Sequence, residues 1–581
     1  MINSSRCKWG GRAKGVAIRA LSITLGAVAL GGFNVPAAVA QSLPGSVEPG
    51  RALDALKPRM EINARPSASP TKSDVTASAV PENSENLNFT FRELIVTGST
   101  VYSNAELASA AGGKAGAVAT VADIFKWAAQ LTAKYRNDGY ILSQVVVPAQ
   151  EIDDGTVELQ VVEGYIGSVN VEGLAPNLAS KVQKYLQRVK GSVPLKNTTL
   201  ERYVLLAEDI PGVSIETFLA ASKEKKGAAT LTVKAKKKRV SVAVRGDNRG
   251  TTFVGPYKAA VTLGLAGVLG PENDLSLTGY STPADDDELR AGSVTISQAL
   301  GKEGTSVFFS GSANFSKPGS ALSDINLESE AFSGSVGLVI RPIRQRSQNL
   351  SISLSGSFNN SSSTVFGVDF SEDNTRSAAL TADYQFSDRA MGFNRLSLAL
   401  SQGVDFASST ATGDVLASRA DANPDATWVN LDLSRVQHVG RGVSLMVSGS
   451  GQVASDGLSP SREFGIGGTA NGSAFDASEI TGDHGVSGRL EIRFSDEAKL
   501  MKGIVGGLQV YGFGDGGAVW QRDVGDVAEV NDRLASAGVG FRFNFGSHLS
   551  GSVEVAKPLM KNIQSQGDRK PRVFFDLASR F

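Results

Sequence analysis

From residue 239 to the C-terminus the sequence loses helical periodicity and carries sixteen segments in which apolar and polar residues alternate. They begin near residues 240, 257, 274, 292, 305, 331, 349, 376, 393, 427, 442, 484, 507, 533, 548 and 572. No later stretch is apolar for the roughly 18 residues that a spanning helix needs, so any membrane crossing must be made by strands that close on themselves. In "SVAVR", Val242 and Val244 share one face, while Ser241, Ala243 and Arg245 share the other. "GVSGRLEIRF" sends Val486, Leu490, Ile492 and Phe494 one way and Arg489, Glu491 and Arg493 the other. One face suits lipid and the other a wet lumen. Connections after odd-numbered segments run roughly 9, 10, 14, 15, 23, 30, 12 and 15 residues, whereas those after even-numbered segments are mostly about 2 to 6, with one of about 11. Long outer loops alternating with short periplasmic turns, an even strand count and a terminal "VFFDLASRF" predict an all-β transmembrane barrel of 16 antiparallel strands over 239–581. The phase of the loops places the start of the first strand in the periplasm.

Upstream, Arg6, Lys8, Arg12, Lys14 and Arg19 precede the apolar run "ALSITLGAVALGGF" and a small-residue site at Ala38-Val39-Ala40, so residues 1–40 read as a signal peptide. Its removal would leave 53 basic against 58 acidic residues and take away Cys7, the one cysteine. Weak acidity argues against a nucleic-acid partner. Residues 41–88 carry six prolines and a Ser/Ala/Thr-rich run, and read as a flexible linker containing one short helix candidate, Pro49 to Leu56, stopped by Pro58. Two β-α-α-β-β units follow, over 89–164 and 165–238. In the first, Ile124, Trp127, Ala128, Leu131 and Tyr135 form one helix face that reads as core. A small sheet of this kind leaves an edge that can pair with a foreign extended segment.

Enzymatic signals are weak. "GIGGTANG" lacks the strand-turn-helix context of a dinucleotide loop, and His438, His484 and His548 show no ligand spacing, so neither cofactor nor metal is expected. "KAKKKR" at 234–239 reads as a solvated junction beside the first barrel strand.

Several motifs then carry a resemblance. "RVSVAVRGDNRGTTFVGPYK", with its turn residues Asp247, Asn248 and Gly250, resembles the first barrel hairpin of two-partner secretion outer-membrane transporters, the TpsB family of ShlB/FhaC/HecB hemolysin secretion/activation type. "NDGYILSQVVVPAQEIDDGTVELQVVEGYIGSVNVEG" is similar to the passage from that family's first periplasmic POTRA domain into its second. "FGIGGTANGSAFDASEITGDHGVSGRLEIRF" and "YGFGDGGAVW" resemble its sixth loop and its twelfth and thirteenth strands. The resemblance implies α+β periplasmic POTRA domains ahead of the barrel, which sits in the outer membrane. It further implies a translocator that captures a large unfolded exoprotein, a hemolysin or adhesin, by its N-terminal secretion domain and conducts it outward without ATP. The barrel-assembly machinery would insert the protein into outer-membrane lipid. Two units, an N-terminal helix and a linker favour this reading over a barrel-assembly insertase, which shares the domains and the loop; a passive pore would not need the units.

Site expectations follow. Pro49 to Leu56 is expected to plug the lumen at rest. Client capture is placed on the edge Tyr140, Ile141, Leu142, Val145, Val146 and Val147. At the sixth loop Ser473 stands where the family has an arginine reaching an acidic group on the thirteenth strand, here Asp515. Phe475 and Asp476 match the family and are expected to hold the loop, with Arg489 or Arg493 replacing the missing cation and Ser473 contributing little.

Overall fold

The computed structural model describes residues 43–51, 72–73, 80–222, 224–283, 288–496, 507–522, 531–546 and 548–581. The expected signal peptide and most of the linker lie outside the described residues. Sixteen antiparallel strands close into one barrel. They are β1 (Val240–Asp247), β2 (Lys258–Ala266), β3 (Asn273–Ser281), β4 (Leu289–Leu300), β5 (Thr305–Ser316), β6 (Glu328–Arg344), β7 (Gln348–Val365) and β8 (Val368–Ser387). The circuit continues with β9 (Gly392–Gly403), β10 (Thr427–Gly440), β11 (Val443–Ala454), β12 (His484–Asp496), β13 (Gly507–Trp520), β14 (Asn531–Phe545), β15 (Leu549–Pro558) and β16 (Arg572–Arg580). Closure satisfies the backbone where lipid offers no hydrogen bonds.

Alternation sorts the side chains as the sequence implies. Leu338, Leu354 and Leu380 lie opposite one another on adjacent strands and are all exposed on the outer face. The eighth strand departs from expectation. It begins at Val368, not near 376, and the connection from β7 is only the two-residue turn Phe366–Gly367. The reason is local: Asn359 to Thr364 is polar on both faces, because this hairpin rises past the lipid band, and a two-faced polar strand looks like a loop.

The seam between β1 and β16 is short, pairing Ala243 with Arg580 through Asp247 with Asp576. Three contacts extend it. Arg245 Nε meets Asp576 at 2.5 Å, Phe581 and Val242 exchange both backbone bonds, and the Asn248 side chain accepts from the Phe575 N–H at 2.7 Å while donating to the Val573 carbonyl. Gly250 must lack a side chain, since a Cβ there would stand 1.8 Å from the Gly255 carbonyl oxygen.

Before the barrel stand two small units. The first packs α1 (Asn104–Ala111) and α2 (Val121–Asn137) on a sheet of Glu93–Thr97, Thr156–Val162 and Gln144–Val146, the last of these at an edge. Ser103 and Thr120 cap the helices with reciprocal capping boxes to Glu106 and Asp123. Trp127, Leu131 and Tyr135 are core, as their spacing implies. The second unit packs α3 (Pro176–Leu186) and α4 (Asn197–Glu208) on Tyr165–Glu172, Ala228–Lys237 and Val213–Ala221, to whose free edge Lys72–Ser73 of the linker adds in parallel. Its helices grip three periplasmic turns. Lys181 pairs with Glu272, Arg202 donates to the Glu303 and Arg341 carbonyls, and Arg344 makes a two-pronged bond to Asp209 at 3.0 and 2.7 Å.

The alternation predicts that Leu354→Arg, on the lipid face, lowers stability by about 2–4 kcal/mol and depresses the gel-mobility unfolding midpoint in detergent. Ser355→Arg, one residue along and facing the lumen, should leave that midpoint nearly unchanged.

Candidate functional site

The sixth loop, residues 455–483, folds into the lumen as a hairpin of Phe464–Ile466 with Ile480–Gly482. Its tip is anchored on one wall. The Ser473 hydroxyl donates to Asp515 at 2.6 Å, and the Ser473 backbone N–H points at the same carboxylate. Arg489 Nη1 lies 2.6 Å from both the Ser473 hydroxyl and Asp515, and its guanidinium stacks on Phe513 at 3.7 Å. Ser536 also donates to Asp515.

Around this pair the wall is a network. Glu491 accepts from Arg489, Arg493 and Arg542, the Arg493 and Arg542 contacts both at 2.7 Å. Tyr511 and Arg249 both donate to Glu554. Arg249 also reaches the Ser473 carbonyl at 3.2 Å. Phe475 is buried among Ile466, Tyr511, Phe513, Leu534 and Phe574, while Asp476 receives Arg572 at 2.8 Å and the Ser565 hydroxyl.

Of the two candidate replacements for the missing arginine, then, Arg489 reaches Asp515 and Arg493 reaches Glu491. The Ser473 hydroxyl is buried between Arg489 and Asp515, a contact that the expectation of little contribution does not include. Asp247 holds Lys258 at 3.5 Å and accepts from the Arg249 N–H, so the first-hairpin turn aims Arg249 at the loop tip as well as reversing the chain. Sequence reasoning missed Arg249, Arg542 and Glu554. The same alternation that turned Arg489 inward also turns Arg542 and Glu554 inward.

The N-terminal segment fills part of the remaining lumen. Residues 49–51 form one 3-10 turn, while residues 52–56 of the expected helix lie outside the described residues. Val47 is buried against Phe253, Val254, Tyr280 and Leu289. Arg51 donates to the Pro460 and Glu463 carbonyls at 2.7 and 2.8 Å and to the Ser478 hydroxyl. Glu48 is buried too. Desolvation first, then the carboxylate of Asp373, raises its pKa from 4.5 to about 8, with Glu463 adding to the rise and Arg51 and the Gly50 N–H opposing it.

The edge of the first unit is partly committed. Leu142 is buried in the second unit's core with Ile141 packed against it, and the Val145 N–H donates to Thr132 at 2.9 Å. Tyr140 and Val147 lean on the first unit's core, with Tyr140 edge-on to Tyr135, and Val146 is half-buried.

A 16-stranded barrel with periplasmic α/β units and a loop folded into its lumen defines an outer-membrane transporter of the POTRA-barrel class. The chain belongs to the family described as Haemolysin secretion/activation protein ShlB/FhaC/HecB, which matches residues 228–543, and residues 89–164 match the POTRA domain, ShlB-type. It is therefore a transporter of the two-partner secretion type, placed in the outer membrane with its POTRA units in the periplasm. The Heme/hemopexin transporter protein HuxB of Haemophilus influenzae (strain 86-028NP) is 24% identical over 481 residues, covering 79% of this chain and 81% of the relative. The fold is shared with CdiB from Escherichia coli, with TM-score 0.67 and 18% identity over 92% of this chain and 96% of that one. It is also shared with BamA from Haemophilus ducreyi lacking POTRA domains 1–3, with TM-score 0.50 and 13% identity over 85% of this chain and 100% of that one.

Breaking a buried pair on one side leaves an uncompensated charge, so Arg489→Ala should cost roughly 3–5 kcal/mol and open the sixth loop to external protease. Ser473→Arg combined with Arg489→Ala should restore protection by returning a cation to Asp515 from the loop side. Docking of residues 43–51 should depend on pH. Because the docked Glu48 has the raised pKa, its favourable contribution is complete below the free value of 4.5 and lost as pH rises through about 8. Open-channel probability in planar bilayers should climb across that window, and Glu48→Gln should flatten the climb.

Proposed function

We propose that this protein captures one large exoprotein at its periplasmic units and passes it, unfolded, through the barrel to the cell surface. One observation carries the reading. The lumen holds two inserts of different character: a loop pinned by buried ion pairs, and an N-terminal segment joined to the rest of the chain by a long linker and docked around an acid that resists burial. An insert built to leave beside one built to stay is the arrangement of a gated conduit. The 20 residues 52–71 that join this segment to Lys72–Ser73 on the second unit have a contour of roughly 65 Å, more than the membrane thickness, so the segment can withdraw without the units moving.

Capture is assigned to the edge of the first unit, Tyr140 to Val147. Its physics is strand addition, in which backbone hydrogen bonds read an extended chain with little sequence demand. With Leu142 and Ile141 serving the second unit, the receptive part is Val145 to Val147 with the groove beside α2. HuxB is named for heme and hemopexin; the client of this chain, a hemolysin, adhesin or other exoprotein, is identified by deletion. Deleting the gene should remove one large protein from the medium and leave other outer-membrane barrels at normal abundance. General loss of those barrels would mean that the chain is an assembly insertase.

Val147→Pro should cut secretion of that protein while the barrel still inserts, because proline removes an edge donor without touching the membrane domain. Undiminished secretion would place capture elsewhere. Val145→Pro is the poorer probe, since it also strips the bond to Thr132.

A further inference from the structure

The lumen has two chemically opposite walls. The sixth loop lies on β12 to β16, where Arg489, Glu491, Asp515, Arg542 and Glu554 form the network described above. Facing it, β4 to β8 present hydroxyls. From Asn349 to Ser363 every second residue of β7, on the side away from Leu354 and Phe358, is Ser or Asn. Neighbouring strands match it in part, with Phe308 and Val339 also on the inward face. Ser310 meets Ser335 at 2.7 Å, Ser312 meets Ser333 at 2.6 Å and Ser357 meets Ser377 at 2.9 Å, each pair directly opposite in register. Residues 293–297, 306–312, 333–339, 353–357 and 377–381 contain no charge at all. Charges return only at the ends of the belt, with Asp373 towards the outside and the Asp383–Arg395 pair towards the periplasm.

An occupant is already visible. The segment 43–51 lies between the two sides: Val47 packs on Tyr280 and Leu289 and a Cβ on Gly50 would lie 3.0 Å from Asn359 Nδ2, while the same Cβ would meet Ser461 of the sixth loop and Arg51 donates to that loop at Pro460, Glu463 and Ser478. A turn-rich stretch of polypeptide therefore fits between the outer end of the hydroxyl wall and the sixth loop while the loop stays anchored on β12 to β16.

We infer that the hydroxyl belt of β4 to β8 is the sliding surface for the unfolded client, vacated when segment 43–51 withdraws. A chain in transit presents every kind of side chain in turn. Fixed charges would bind opposite charges and repel like ones, and an apolar belt would hold each hydrophobic cluster. Paired serines satisfy part of one another's hydrogen bonding and offer small, neutral, exchangeable contacts, so no segment of the client finds a deep minimum. The charged wall could not serve, because its groups are committed to each other and to the loop.

This inference rests on the translocator reading, and the test separates the two. The sequence holds one cysteine, Cys7, so in a Cys7→Ser chain single cysteines can be placed at Ser355 and Ser310 on the belt and at Gln509 on the charged wall. The client is the protein lost from the medium on deletion, carrying a series of cysteines and arrested in transit by a folded C-terminal domain closed with disulfides. Disulfides to positions 355 and 310, and few to 509, are expected. Linkage to 509 at the same or greater yield overturns the belt while leaving translocation intact. Continued secretion with no linkage at any of the three would overturn passage through the lumen itself. Independently, Ser355→Asp should slow secretion several-fold with the unfolding midpoint unchanged, and Ser355→Thr should not; full-speed secretion by Ser355→Asp would also overturn the belt.

Discussion

The buried contact among Arg489, Asp515 and Ser473 is the interaction on which the rest of the lumen depends. A barrel of sixteen strands is too wide to fill with its own strand side chains, and something must occupy the interior without collapsing across it. Here a long loop enters and is tied to one side by Asp515, by Arg249 through the Ser473 carbonyl, and by Arg572 through Asp476. Burial of so many charges is tolerable only because each has partners at hydrogen-bond distance. Glu491 alone collects three arginines. The cation that reaches Asp515 comes from β12, the strand paired with β13, with Arg489 directly opposite Asp515 in register. The loop supplies only a serine between them.

Fixing the loop to one wall divides the interior by function. The N-terminal segment lies between the loop and the opposite side, and its chemistry is consistent with impermanence. Val47 and Arg51 hold it, while Glu48 opposes burial at neutral pH. Below the membrane, ion pairs from α3 and α4 to the periplasmic turns fix the second unit on the barrel. The parallel pairing of Lys72–Ser73 with Phe218–Leu219 ties the linker to the same unit.

Much of this was legible in the sequence because strand alternation is a strong signal wherever one face meets lipid. Strand starts such as 240, 305, 427, 484, 507 and 572 coincide with the structure for that reason. The signal fails where lipid ends, as at Asn359 to Thr364, and the eighth strand was read short. Alternation also turned Arg489 and Asp515 inward, but it could not tell Arg489 from Arg493 as the partner of Asp515, since that depends on register across two strands. Other features were illegible because they join distant parts of the chain. Nothing local in "VEPGR" shows that Glu48 would face Asp373, or in "SQVVV" that the Val145 N–H would be taken by Thr132.

A lumen divided in this way keeps the sixth loop on its wall while the client passes. The Ala474 N–H reaches the Ser536 hydroxyl at 3.3 Å, so Ala474→Cys with Ser536→Cys can lock the loop tip to β14 through a disulfide. Secretion by this variant should be the same in its oxidised and reduced forms. Secretion that stops on oxidation and resumes on reduction would show that the loop must leave its anchor, and would contradict the division of the lumen proposed here.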